Sequence, residues 1–283
     1  MPKLHPFTRS VLIITFLVFA GAGCTKEARK ARQLDKAKSD FESGAYDKAK
    51  IEYLNVLRLG GQTPDPAVFA RLGEIWFEEG APLKAGAFLV KARELAPNDL
   101  ENRLRLARVY KAMGNLAEAK KEILFILQQS PDNGEALLLL TEISSTPDEV
   151  KAAEQTLQQF PKKESVLFQL AAANIAMRKS DSGKAQELIA HAISLDPKSA
   201  KAHLLMAIVH LFQKDSKSAA AEFKTAADLA PPRSSMKMSY AEFEVQTGEV
   251  DKAVAYLKEL TSQTPDFFPA WTLLRDRVHA KKV

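Results

Sequence analysis

Five prolines, Pro97, Pro131, Pro197, Pro231 and Pro265, return at nearly constant spacing, and each closes an amphipathic run. Three of the steps are 34 residues: Pro97 to Pro131, Pro197 to Pro231 and Pro231 to Pro265. Pro161 divides the remaining interval into steps of 30 and 36 residues, so one unit is about a helical turn short. A period of this length with two helical patterns inside it describes a stack of helical hairpins, in which each unit buries its apolar face against its neighbours.

The stretch from Leu100 to Pro131 shows how one period is built. Leu104, Leu106, Ala107, Tyr110 and Ala112 lie along one side of a first helix, with Arg103, Arg105, Arg108 and Lys111 in the other positions. Gly114-Asn115 breaks that helix, because these residues tolerate a left-handed cap. Ala119, Ile123, Ile126 and Leu127 then recur at three- and four-residue intervals until Pro131, which has no N–H with which to continue. The other periods repeat these requirements. The first helix carries a small residue at the crossing point (Gly73, Ala107, Ala173, Ala207, Ala241), and so does the second (Ala49, Ala85, Ala119, Ala185, Ala219, Ala253). A large apolar residue follows four positions later, as Tyr53, Leu89, Ile123, Ile189, Phe223 and Leu257. The hairpin turn holds Gly44, Gly80, Gly114 and Gly248, with Ser180 and Lys214 in their place in two units.

This pattern resembles the tetratricopeptide repeat, and the resemblance runs from about residue 30 onward. It implies an all-α solenoid, a right-handed superhelix of about seven helix-turn-helix units with a C-terminal capping helix. The units fall at roughly 30–61, 66–97, 100–131, 134–161, 166–197, 200–231 and 234–265, followed by a capping helix and tail at 266–283. In the cap, Trp271 and Leu274 are expected to cover the last repeat. In the short unit, Ser144-Ser145-Thr146-Pro147-Asp148 cuts the first helix off early, and Thr-Pro-Asp-Glu is a good start for a second helix over Pro147–Phe160. A shortened unit can bend the array; the plainer reading is a tolerated deletion.

Residues 1–23 read as an export signal. Lys3 and Arg9 precede an apolar stretch from Val11 to Ala22, whose 12 residues are too few to span a bilayer. Gly21-Ala22-Gly23 before Cys24 resembles a lipoprotein signal, with Gly21 where that family usually has Leu; the resemblance implies acylation of Cys24. The competing reading is an ordinary secretory signal with an incidental cysteine. Residues 24–29 would form the anchor and a short linker. Cys24 is the only cysteine, so no intramolecular disulfide can form and stability must come from helix packing. Thr25 is not the Asp that retains enteric-type lipoproteins in the inner membrane, which makes the periplasmic face of the outer membrane the expected location. The net charge of +5 becomes +3 once Lys3 and Arg9 are removed. The basic run Lys26, Arg29, Lys30, Arg32, Lys36 and Lys38 reads as a solvated helix face beside the anchor, the alternative being contact with anionic lipid headgroups, and no basic patch interleaved with aromatics points to nucleic acid.

Chemistry is hard to find. His203 and His210 lie seven apart on one helix, too far for joint metal ligation. The sequence contains no phosphate-binding glycine loop and no Gly-x-Ser-x-Gly. No catalytic residue, metal or cofactor is expected. What remains is a binding surface on the first helices, which line the concave face of tetratricopeptide arrays. Leu170, Asn174, Met177, Arg178, Leu204, Ile208, Leu211, Phe212 and Met238 are the candidate groove, expected to take a helix or extended segment of an envelope protein. Asn174 and Arg178 alone do not make the basic ring with which some relatives hold C-terminal carboxylates. Lipoproteins resembling this one serve in polysaccharide export, surface sorting, pilus assembly and outer-membrane protein insertion, and Asp40 to Tyr53 looks most like the exosortase-associated type. The rival is a periplasmic accessory subunit that binds polysaccharide directly or assists an enzyme, for which 2 Trp and 5 Tyr offer few sugar platforms.

Overall fold

The structure, a computed structural model, describes residues 26–60 and 65–280, with side chains through 276. The leader and Cys24 lie outside the described residues. All regular structure among the described residues is helical. Helix α1 covers 26–42 and pairs with α2 (Tyr46–Leu59). The pairs α3 (Pro66–Glu78) with α4 (Pro82–Leu95), α5 (Leu100–Ala112) with α6 (Leu116–Gln129), and α7 (Gly134–Ile143) with α8 (Pro147–Gln159) follow. Then come α9 (Val166–Arg178) with α10 (Ser182–Leu195), α11 (Ala200–Phe212) with α12 (Ser216–Leu229), α13 (Ser235–Gln246) with α14 (Val250–Gln263), and the last helix α15 (Phe268–Ala280). Residues 26–29, expected as linker, are helical and belong to α1.

Local chemistry sets these boundaries. First helices begin at side-chain caps: Asp65, Asp99, Asn133, Ser165, Ser199 and Ser234 each accept from a backbone N–H of the first turn. Five second helices stop two residues before Pro97, Pro131, Pro197, Pro231 or Pro265, because the residue preceding a proline is driven out of the helical region. Within the hairpins, Gly44, Gly80, Gly114 and Gly248 all have positive φ, and Ser180 (62°) and Lys214 (60°) adopt the same left-handed conformation. The tight turn therefore demands that backbone whatever residue stands there.

Packing follows the periodic small residues. Ala107, Ala173, Ala207 and Ala241 on first helices and Ala49, Ala85, Ala119, Ala185, Ala219 and Ala253 on second helices are fully buried. So are Leu89, Ile123, Ile189 and Leu257, with Tyr53 and Phe223 nearly so. Small residues bring the helix axes together, and the large residue one turn on fills the space beside them.

The short unit departs from this scheme. α7 has 10 residues against 13 in α5 and α9. It packs more extensively against α9 than against its own partner α8. Gly134 permits the approach, since a Cβ there would come within 2.9 Å of Leu167. Asn174 on α9 donates to the Thr141 hydroxyl on α7 at 3.2 Å, and Arg178 donates to the Glu142 carbonyl at 3.2 Å. α8 starts at Pro147 behind a complete capping box, in which Thr146 accepts from Glu149 N–H while the Glu149 carboxylate takes the Thr146 N–H. Those backbone donors, with that of Ser145, draw the Glu149 pKa down to about 2.

At the C-terminal end, Phe267, Ala270 and Leu274 are buried against Met238, Leu257 and Leu260. Trp271 is 46% exposed and donates its indole N–H to the Pro265 carbonyl at 3.0 Å. The closing apolar surface is thus Phe267, Ala270 and Leu274 rather than the Trp271–Leu274 pair. Trp271 lies three residues from Leu274, but its indole turns toward the Pro265 carbonyl.

Candidate functional site: the inner face of the array

A side chain can bridge a unit to the unit after next only on the concave side of a curved stack. Lys201 on α11 does so: its Nζ lies 2.7 Å from Glu135 on α7, passing over the intervening α9. Arg108 on α5 reaches the same carboxylate at 2.9 Å. Burial pushes the Glu135 carboxyl up, but Lys201 and Arg108 together hold it below the usual carboxylate range. Further toward the N-terminus, Arg105 and Arg71 both pair with Glu74, at 3.1 and 2.7 Å. The inner face of units two to six therefore carries a chain of ion pairs contributed by first helices. Glu78, at the end of α3, lies in the same field. Burial, reinforced by Glu74, raises its pKa to about 7 against the opposing pull of Arg233 and Arg108.

The candidate groove residues do not form one surface. Leu170 is fully buried in the core around α7 and α9, Asn174 is buried in its bond to Thr141, and Met238 is buried under the closing helix. These three are corrected from groove to core: the close approach of α7 to α9 covers the first two, and α15 covers the third. Leu204 and Ile208 are half-buried against Phe223 and Phe243, which stack at 4.9 Å. Met177 packs beside Ile189 and Met206. Arg178 is exposed apart from its bond to Glu142. Leu211 and Phe212 remain as a contiguous exposed pair, at 39% and 73% exposure, at the C-terminal end of α11. His203 bonds Glu222 at 2.6 Å and the Pro197 carbonyl at 3.1 Å, a role in joining α11 to α12.

Sequence reasoning missed a cleft of about 530 Å³ between α1, α2 and α3, lined by Leu34, Phe41, Tyr46, Tyr53, Val68 and Arg71. Tyr46 stacks on Phe41 with centroids 5.2 Å apart, and the Arg71 guanidinium lies 4.7 Å from the Phe41 ring. Phe41-x4-Tyr46 is visible in the chain, but the turn at Gly44 that brings the rings together is what makes it a site.

Comparison with known proteins agrees with this architecture. A tetratricopeptide-repeat family model matches residues 77–124 and 213–277, and a second matches 170–234; together they cover more than half of the chain. Mouse protein O-mannosyl-transferase TMTC1 is 31% identical over 156 residues, 53% of this chain and 17% of that one. The human protein of the same name is 27% identical over 183 residues, 62% of this chain and 21% of that one. The chain thus spans less than a quarter of the length of these curated relatives. Among solved structures, a tetratricopeptide repeat protein from Parabacteroides merdae superposes with a TM-score of 0.58 at 16% identity, over 89% of this chain and 99% of that one. The human IFIT1 dimer with m7Gppp-AAAA gives 0.53 at 19% identity, over 79% and 57%. With seven stacked hairpins and matching family models over most of them, the chain belongs to the tetratricopeptide-repeat family.

Proposed function

We propose that the protein is a non-catalytic scaffold for protein partners, held by an acylated Cys24 at the periplasmic face of a bacterial outer membrane. There it would help to assemble a polysaccharide-export, surface-sorting or pilus and secretion machine. The observation that carries the partner-binding part is the exposed pair Leu211-Phe212 at the end of α11, a helix whose buried positions Ala202, Met206, Ala207 and Val209 already supply its packing. Two adjacent large apolar side chains left in water are a cost that a partner surface removes. The occupant of such a surface is a helix or extended segment of an envelope protein. The transferase name of the curated relatives is not carried over, because the shared segment is a small fraction of their length and in this chain consists of repeats.

Two measurements test the two halves separately. Phe212→Ser changes an exposed position, so the melting temperature should hold while partners that co-purify from native membranes are lost. Unchanged co-purification would move the binding surface elsewhere. For the anchor, wild type should enter the detergent phase and Cys24→Ser should leave it; wild type in the aqueous fraction would refute acylation.

A further inference from the structure

The two ends of the array meet. Arg233, in the turn before α13, lies with its guanidinium 4.6 Å from the Tyr46 ring at the start of α2. Pro269 in α15 is so close to the α3–α4 turn that a Cβ built on Gly80 would fall 2.5 Å from its ring carbons. Between these contacts, carboxylate oxygens of Asp47, Glu79 and Asp266 lie within 4.8 Å of one another. Asp47 and Glu79 belong to the first two units and Asp266 to the turn before α15, so three separate contacts join segments about 190 to 220 residues apart in sequence.

The short unit lies between the two ends along the chain. There α7 packs directly on α9, and Lys201 reaches Glu135 across a whole unit. In a solenoid each unit rests only on its neighbours, so contacts between distant units are additional to the ones that fold the hairpins.

The seam is thin and electrically crowded. Asp266 is held by two of the three Arg233 nitrogens, Nε at 3.0 Å and Nη2 at 2.6 and 2.8 Å, so the far end arrives with its own charge matched. On the near side Lys50 Nζ lies 2.6 Å from Glu79 and 3.2 Å from Asp47 and is capped by the Trp76 ring at 4.5 Å. Three carboxylates thus share two cations, and the buried Glu79 Oε2 has no hydrogen-bond partner. Like charges gathered in one place oppose closure, whereas Arg233 over Tyr46 and Pro269 on Gly80 favour it.

We propose that the Tyr46–Arg233 and Gly80–Pro269 contacts form a latch that closes the array into a ring, and that the ring opens at this seam without unfolding any hairpin. The latch is a two-state element: closed, it joins the first two units to the last unit and the closing helix; open, it leaves an extended superhelix with its inner face accessible from the side. The accessibility clause rests on the scaffold reading above. The latch itself does not, and its test needs no partner.

In a Cys24→Ser background, spin labels at Leu83→Cys and Phe268→Cys report on the seam, since both positions are exposed and lie within a helical turn of the Gly80–Pro269 contact. Their backbone separation in the closed ring is below about 25 Å by chain length alone. The parent should give a short, narrow distance population. Gly80→Asn keeps the left-handed turn, which Asn tolerates, but places a Cβ in the Pro269 ring. It should convert most of the population to a long distance, with circular dichroism unchanged. Gly114→Asn supplies the control: the same turn position, one unit on, with nothing within 4 Å of the added Cβ. It should carry the same backbone cost and leave the short distance in place. Arg233→Glu, which removes the cation from Tyr46 and adds a fourth carboxylate, should open the seam independently. A long or broad distance in the parent, or a Gly80→Asn variant indistinguishable from Gly114→Asn, overturns the latch.

Discussion

Gly73 on α3 and Gly86 on α4 are both buried inside helices of the same unit, and the structure gives opposite answers to replacing them with alanine. In an unconstrained helix interior, either change gains about 1 kcal/mol through lower backbone entropy. At Gly86 the new Cβ would stand 3.6 Å from Val109 Cγ1 and 3.8 Å from Met113 Sδ, which is ordinary contact. Gly86→Ala should therefore stabilise by about 0.5–1 kcal/mol. At Gly73 the Cβ would fall 2.5 and 2.7 Å from Leu89 Cγ and Cδ2 and 3.1 Å from the Ala85 carbonyl. Leu89 is fully buried beside Ala85, Leu106 and Val109 and has little room to retreat. Overpacking of this kind costs about 1–3 kcal/mol, which exceeds the helix gain, so Gly73→Ala should destabilise by up to about 2 kcal/mol. Urea midpoints of the two variants, compared at equal m-value, read the difference directly. Gly73→Ala matching or exceeding Gly86→Ala in stability would show that α3 and α4 cross elsewhere, and would remove the structural meaning of the small-residue period.

Three other outcomes follow from particular residues. Ser180→Gly and Lys214→Gly should each raise stability by about 1 kcal/mol, because both side chains sit at positive φ; a lower melting temperature in either would contradict the turn geometry. Glu78, with its pKa at about 7 against an ordinary 4.5, holds a proton in the folded state between those pH values that the unfolded chain releases. Stability from this group is thus greatest below pH 4.5 and declines by about 1–3 kcal/mol as pH rises to 7, the lower figure allowing for its partial exposure. Glu78→Gln should flatten that decline, and an identical pH profile for parent and variant would refute it; Glu135 and Glu149, whose pKa values are lowered, pull the other way only at pH below 4.5. Leu204→Ser and Ile208→Ser should each cost about 1–3 kcal/mol through loss of packing on Phe223 and Phe243. Intact melting in both would return these residues to the surface.

The hairpins were legible because their signals are local and repeated. A proline stop, a turn residue at positive φ and a small residue at each crossing recur often enough that degeneracy in one unit does not disturb the register of the next. Side-chain caps and the Thr146–Glu149 box could likewise be read from a few adjacent residues. The groove failed for a different reason. Leu170 and Leu204 stand at the same position of successive first helices, yet one is fully buried and the other only half-buried, and Leu170 belongs to the core shared by α7 and α9, which pack closely. That close packing depends on Gly134 and on three residues missing from α7, which sequence reading registers only as a shortened unit. Trp271 shows the same limit: an aromatic on the expected face of the cap turned outward to bond the Pro265 carbonyl.

Curvature explains why local legibility stops short of the whole. Each unit fixes only its own rotation relative to the next, so the path of the array is a sum of small steps. One step is unusual here, at α7–α9, and the ends arrive together far from it, at Tyr46, Gly80, Arg233 and Pro269. None of those four residues carries a signal in its own neighbourhood: Gly80 occupies the common turn position, and Arg233 reads as one more surface cation. Gly114 stands at that same turn position with empty space before it. The difference between the two glycines is therefore a property of closure. Restoring the missing turn of α7 tests whether that distant step governs closure: if it does, the ends separate while every hairpin stays folded, and unchanged end contacts would place the cause elsewhere in the array.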